Sequence, residues 1–171
     1  MITKTALSAW IVLASSSATH GARSLPVDVA DAMADAAIVD ARNDNVARTI
    51  ASLEVGIAFY ETGGQMVLDP KGPNDGGRSH CWGQVYLPPP ARTIEGWTGA
   101  ELRTDPVKCA TVVVRLLKAS IGASPVDCPL CVYARGPRGL PGGAEHAWAQ
   151  RASNARESLA RRLLHEIPWT E

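Results

Sequence analysis

Glu61 closes the run Phe59-Tyr60-Glu61-Thr62-Gly63-Gly64. Upstream of it Val46, Ile50, Leu53, Ile57 and Tyr60 recur three or four residues apart, the spacing of one helix face. Gly63 and Gly64 predict the end of that helix, because glycine readily takes the left-handed conformation of a C-terminal cap. The spacing therefore puts Glu61 in the last turn, where the helix dipole disfavours a carboxylate and two aromatic neighbours reduce solvation. A carboxyl that keeps its proton can serve as a general acid in breaking a bond to oxygen. Without that chemistry the same residue reads as a solvated glutamate at a helix end. Glu54, two turns earlier, is the rival carboxyl, but no glycine turn or loop follows it directly.

After the loop Asp69 to Gly77 comes Arg78-Ser79-His80-Cys81-Trp82-Gly83-Gln84-Val85-Tyr86-Leu87-Pro88. Further on stand Leu102-Arg103-Thr104-Asp105-Pro106 and Val132-Tyr133-Ala134-Arg135-Gly136. The order of these elements resembles the catalytic core of lytic transglycosylases and goose-type lysozymes over residues 45 to 140. Glu61-Thr62-Gly63 matches that superfamily's Glu-Ser-Gly helix end, and Ser79 to Gln84 keeps its serine-to-glutamine spacing. Leu102 to Pro106 is similar to its Leu-x-Asp-Pro helix start, and Tyr133 to Gly136 to its Tyr-x-x-Gly element.

The resemblance implies a mainly α, lysozyme-like α+β fold: a helical domain with a small loop or β-lobe forming a glycan groove. It implies a lytic transglycosylase that binds peptidoglycan glycan strands and cuts the β-1,4 bond between N-acetylmuramic acid and N-acetylglucosamine. Glu61 would be the single general acid and base, with Ser79, Gln84 and Tyr133 holding substrate or orienting Glu61, and no cofactor would be needed. A hydrolytic lysozyme or endolysin needs a second carboxylate to activate water, for which Asp75 and Asp69 are the candidates; both also suit turn formation beside glycine and proline. Cys81 and Arg135 depart from the superfamily pattern and motivate a further alternative, a non-catalytic glycan-binding structural protein. His80 beside Ser79 does not make a hydrolase pair, since adjacent residues rarely meet in that geometry.

The elements that must carry these residues are also legible. A chain of 171 residues with 46% hydrophobic content supports one domain with a proper core. Seventeen Lys and Arg against seventeen Asp and Glu argue for neither nucleic acid nor an acidic membrane as partner. No stretch is long and apolar enough to span a bilayer, and a monomer is expected. Residues 1–18 carry Lys4, a short apolar run and Ser16-x-Ala18, which fits either a secretory signal peptide or a first helix, with 19–171 as the single domain. Export would make the protein secreted or periplasmic; the alternative is a phage-derived lysin, cytoplasmic until release.

Pro26 opens a polar-apolar stretch through Val29, Ala32, Met33, Ala36, Ala37 and Val39, which reads as one helix. Asp44 or Asn45 is the expected cap of the Glu61 helix. Thr104-Asp105-Pro106 predicts a helix to about Ser120. A last helix carries Trp148, Ala152, Ala155, Leu159 and Leu163 on one side and ends at Pro168, with Arg151, Arg156, Arg161 and Arg162 as a solvated face or a contact for an anionic polymer. The four cysteines, Cys81, Cys109, Cys128 and Cys131, suggest two disulfides of undetermined connectivity. A zinc site built on Cys128-Pro129-Leu130-Cys131, in an intracellular module, is the rival.

Overall fold

The structure is a computed structural model that describes residues 2–39, 41–66, 78–87 and 92–169. The chain is mainly helical. Among the described residues it forms α1 (Lys4–Ala18), α2 (Val27–Val39), α3 (Asp44–Glu61), β1 (Ser79–His80), β2 (Val85–Tyr86), α4 (Gly99–Thr104), α5 (Pro106–Ala123), α6 (Cys131–Arg135) and α7 (His146–Glu166). A 3-10 turn, Gly136–Gly139, joins α6 to the approach of α7. The strands pair antiparallel, Ser79 opposite Tyr86 and His80 opposite Val85. No described helix is long and apolar enough to cross a membrane.

The α3 helix is the axis of the fold. It packs against α1, α2, α5 and α7, and residues Ala51 to Ala58 are buried all round rather than on one face. The expected stripe was narrower because it counted only large apolar residues. Ala47, Ala51, Ser52, Gly56 and Ala58 are small enough to let several helices approach at once. The first residue of the expected stripe is only half-buried at Val46, and the last, Tyr60, is exposed.

Asn43, not Asp44 or Asn45, caps α3. It sits in an extended conformation and its side chain accepts a hydrogen bond from the Val46 amide at 3.0 Å. That leaves Asp44 in the first turn, where a carboxylate suits the positive end of the dipole. At the far end Gly63 and Gly64 have φ of 58° and 76°, the left-handed geometry expected of them.

Residues 4–18 form a helix integral to this core. Leu7, Trp10, Ile11 and Ala14 are buried. Ser8 donates to Asp31 at 2.5 Å, and the Trp10 indole stacks on Trp169 with centroids 4.8 Å apart while donating to the Ile167 carbonyl. The α2 helix begins just after Pro26 as expected, although its last residue, Val39, is exposed.

Asp105 caps α5 by accepting from the Val107 and Lys108 amides, with Pro106 in the first turn. This helix runs to Ala123, one turn beyond expectation. Thr98 and Glu101 form a reciprocal capping box on the short helix α4. Lys108 adds an ion pair to Glu101 at 2.8 Å, and together they hold the Glu101 carboxyl down at about 2.

The α7 stripe differs from expectation. Ala149, Ser153, Arg156, Leu159, Ala160 and Leu163 are its buried residues, whereas Trp148 is 42% exposed and lies under the Arg135 guanidinium at 3.9 Å. Leu159 and Leu163 are buried as expected, but the contact face turns toward Ala149, Ser153 and Arg156 rather than Trp148, Ala152 and Ala155. The helix ends at Glu166, two residues before Pro168.

Candidate functional site

Two buried serines fix the segment that carries Tyr133. The Ser120 hydroxyl on α5 accepts from the Tyr133 amide at 2.8 Å and donates to the Pro129 carbonyl at 2.9 Å. Ser153 on α7 accepts from the Leu130 amide at 3.0 Å and donates to Glu157 at 2.6 Å. The Cys128–Cys131 disulfide closes the same turn. Backbone groups that α6 is too short to satisfy internally are thus met by side chains of two long helices.

From that anchorage the Tyr133 hydroxyl donates to the Gly83 carbonyl at 2.7 Å, fifty residues away in sequence. Gly83 lies in the turn Cys81–Gln84 that joins β1 to β2. Glycine is required here by close approach: a Cβ would collide with the Val113 side chain and stand 3.0 Å from the Tyr133 hydroxyl. The turn is further constrained by left-handed backbone at Cys81 (φ 55°) and Gln84 (φ 49°), a conformation that costs most residues energy. Cys81 is bonded to Cys109 of α5, and both the Gln84 amide nitrogen and its side-chain Nε2 donate to the Cys81 carbonyl, at 3.0 and 3.2 Å.

Glu61 projects from the last residue of α3, its side chain 20% exposed. Its carboxylate accepts a short hydrogen bond from Nη2 of Arg156, whose side chain is only 6% exposed. The expectation of an acid set among aromatic groups is corrected here. Its nearest polar neighbour is a guanidinium, and the adjacent Tyr60 ring is exposed. Burial, followed by the charge of Glu61, pushes the Tyr133 phenol well above its ordinary value; Arg156 opposes that effect and Glu54 adds to it. Glu61, Glu54, Arg156 and Tyr133 therefore share one electrostatic neighbourhood. Tyr133 remains a neutral hydrogen-bond donor, and its proton is committed to Gly83 rather than to Glu61.

Among the other expected residues, Ser79 and His80 are consecutive in β1, so their side chains leave opposite faces of the strand. His80 is buried with its ring against Gly99, where any Cβ would overlap it. This is the geometric reason that Ser79 and His80 are no nucleophile and base pair. Glu54 is completely buried in the middle of α3. Asp69 and Asp75 lie outside the described residues. Arg135 faces the surface, paired with Glu145 at 3.0 Å.

All four cysteines are in disulfides, Cys81 with Cys109 and Cys128 with Cys131. That settles the connectivity and leaves no thiolate for the zinc alternative. Two surface hollows, of about 480 Å³ beside Arg42 and about 230 Å³ beside Ile121, are lined by residues other than Glu61.

Sequence reasoning missed Arg156, having grouped it with the solvated arginines of α7. The available signal was its spacing. Ser153, Arg156, Leu159, Ala160 and Leu163 follow the three-and-four rhythm of a buried stripe, and an arginine inside such a stripe needs a buried partner. Comparison with family models, with curated proteins and with solved structures finds no match to this chain.

Proposed function

We propose that this protein cleaves the glycan strands of peptidoglycan as a lytic transglycosylase, with Glu61 as its general acid and base. The observation that carries this reading is the joining of two separated motif elements, with the charge of Glu61 felt at their junction. Tyr133 bonds to Gly83 inside the Ser79–Gln84 segment and lies within electrostatic reach of Glu61. Nothing in local helix or turn formation brings those segments together.

In the proposed reaction Glu61 gives its proton to the glycosidic oxygen as the bond to the muramic C1 breaks. The ring acquires oxocarbenium character. The resulting Glu61 carboxylate then takes the proton of the muramic C6 hydroxyl, whose oxygen bonds to C1. The products are a free 4-hydroxyl on one strand and a 1,6-anhydro end on the other, and no water is consumed. One carboxylate suffices. Glu54 cannot supply the second that hydrolysis requires at ~6.5–9.5 Å, because it is sealed in the core.

The Gln84 side-chain carbonyl and the Ser79 hydroxyl are the groups proposed to hold sugar acetamides. One hydrogen of the Gln84 side-chain amide is used on Cys81, which leaves its carbonyl oxygen and second N–H for the sugar. Two disulfides suit a secreted or periplasmic site of action.

The ion pair of Glu61 with Arg156 favours one second reading, a non-catalytic glycan-binding protein on the same scaffold. An acid engaged by arginine must still be able to deliver a proton. Mass spectrometry of muropeptides after incubation with purified wall separates the readings. Anhydro ends support the transglycosylase, reducing ends support hydrolysis, and wall binding without soluble product supports the binding protein. Glu61→Gln is expected to lower fragment release by about 100-fold or more, the scale of general acid catalysis. Undiminished release would remove Glu61 from the mechanism.

A further inference from the structure

We propose that Arg156 is a positioning residue for Glu61, holding one carboxyl oxygen so that the other faces the substrate and compensating the negative charge left as the proton departs. The assignment rests on the reading of Glu61 as the acid.

The packing of α7 on α3 explains how the arginine reaches its partner. The two helices cross at Gly56, where a Cβ would stand 2.8 Å from the Arg156 carbonyl oxygen. Only a residue without a side chain permits that approach, and it places the Arg156 backbone directly against α3. Glu61 lies five residues further along, ~7.5 Å of helix rise. That span matches an extended arginine side chain.

The guanidinium is held on several sides. Nη1 donates to the Ala152 carbonyl at 2.7 Å, Nη2 donates to Glu61, and the Tyr60 ring centre lies 5.9 Å from Cζ. Nε is buried and makes no hydrogen bond. Arg156 is thus a rigid fork with one arm on its own helix and one on Glu61. A lysine ammonium offers no equivalent pair of arms.

Among the described residues, Tyr60 of α3 lies against the guanidinium, and Glu61, Arg156 and Glu54 all act on the Tyr133 phenol of α6. With Tyr133 neutral and bonded to Gly83, the guanidinium is a fixed positive charge beside Glu61. A charge set in place before the reaction acts at the moment negative charge develops, without reorganisation cost. In the acid form the proton sits on the carboxyl oxygen that Arg156 does not hold, the other oxygen accepting from the guanidinium, and from there it goes to the glycosidic oxygen.

The test uses Arg156→Lys, Arg156→Met and Arg156→Ala in the full chain. Fragment release gives kcat and KM, with circular dichroism and melting measured beside it. The expected result is a fall in kcat of about tenfold or more, with KM within about twofold. Lysine should fail to restore kcat, while millimolar guanidinium chloride should partly rescue Arg156→Ala.

A merely structural arginine would lower the melting temperature yet leave kcat per folded molecule unchanged and insensitive to guanidinium. Folded Arg156→Lys with wild-type kcat overturns the assignment alone. Failure of all three variants to fold makes Arg156 a structural anchor and likewise overturns it. Wild-type protein that releases no fragments overturns the functional reading and this assignment together.

Discussion

Cys81–Cys109 and Cys128–Cys131 differ chiefly in the length of chain they close, 28 residues against 3. All four sulfur-bearing residues are fully buried, so replacing either pair by alanine removes comparable side chains from comparable surroundings. The difference between the two double variants therefore isolates the restriction of the unfolded chain. The loop-entropy relation gives about 3.6 kcal/mol for the longer loop and about 1.6 for the shorter at 25 °C. At roughly 2–4 °C per kcal/mol for a chain of this size, Cys81→Ala/Cys109→Ala should melt about 7–14 °C below the parent. Cys128→Ala/Cys131→Ala should melt about 3–6 °C below it.

Urea unfolding and calorimetry measure both costs, and thiol titration of the denatured parent confirms that no cysteine is free. The longer bridge also pins the Cys81–Gln84 turn to α5, so its loss should lower fragment release below that of the other variant. Equal costs, or a larger cost for the short loop, would refute the loop-length reasoning. A double variant with unchanged melting would show that the bond itself does not form.

Two further expectations follow from the neighbourhood of Tyr133. Its phenol is pushed well above the ordinary value of about 10, so an ultraviolet titration should show a phenol component that appears only well above that pH. Tyr133→Phe should remove the late component. Because the folded value is the higher one, the associated stability is fully present below pH ~10 and declines as pH rises toward the folded value. A titration with no late component, or one that Tyr133→Phe leaves unchanged, would contradict the shifted phenol. Gly83→Ala forces a methyl into Val113 and toward the Tyr133 hydroxyl, and overpacking of this kind costs about 1–3 kcal/mol. Unchanged urea stability would mean that the turn can move without cost.

Much of the architecture was legible because local rules agree with the final packing. The Gly63-Gly64 stop follows from left-handed backbone, and the start of α5 follows from Asp105 before Pro106. Periodicity alone did not fix the face of α7. Trp148 was expected on its apolar side, yet it is exposed and Ala149 is the buried neighbour, since close helix contact selects small side chains. The α3 cap lies one or two residues before the expected Asp44 or Asn45, because Asn43, Asp44 and Asn45 are all competent and only the backbone conformation distinguishes them.

By itself the sequence determined the helices that apolar periodicity and capping residues mark, and the position of Glu61 at a helix end. These depend on neighbours within a few residues, whose spacing is written in the chain. Only the tertiary structure decided that Arg156 meets Glu61, that Tyr133 bonds to Gly83, and that Cys81 pairs with Cys109. Those contacts join residues 28 to 95 positions apart. Their partners are selected by which helix faces can pack closely, and small residues such as Gly56 determine that without any periodic signal of their own.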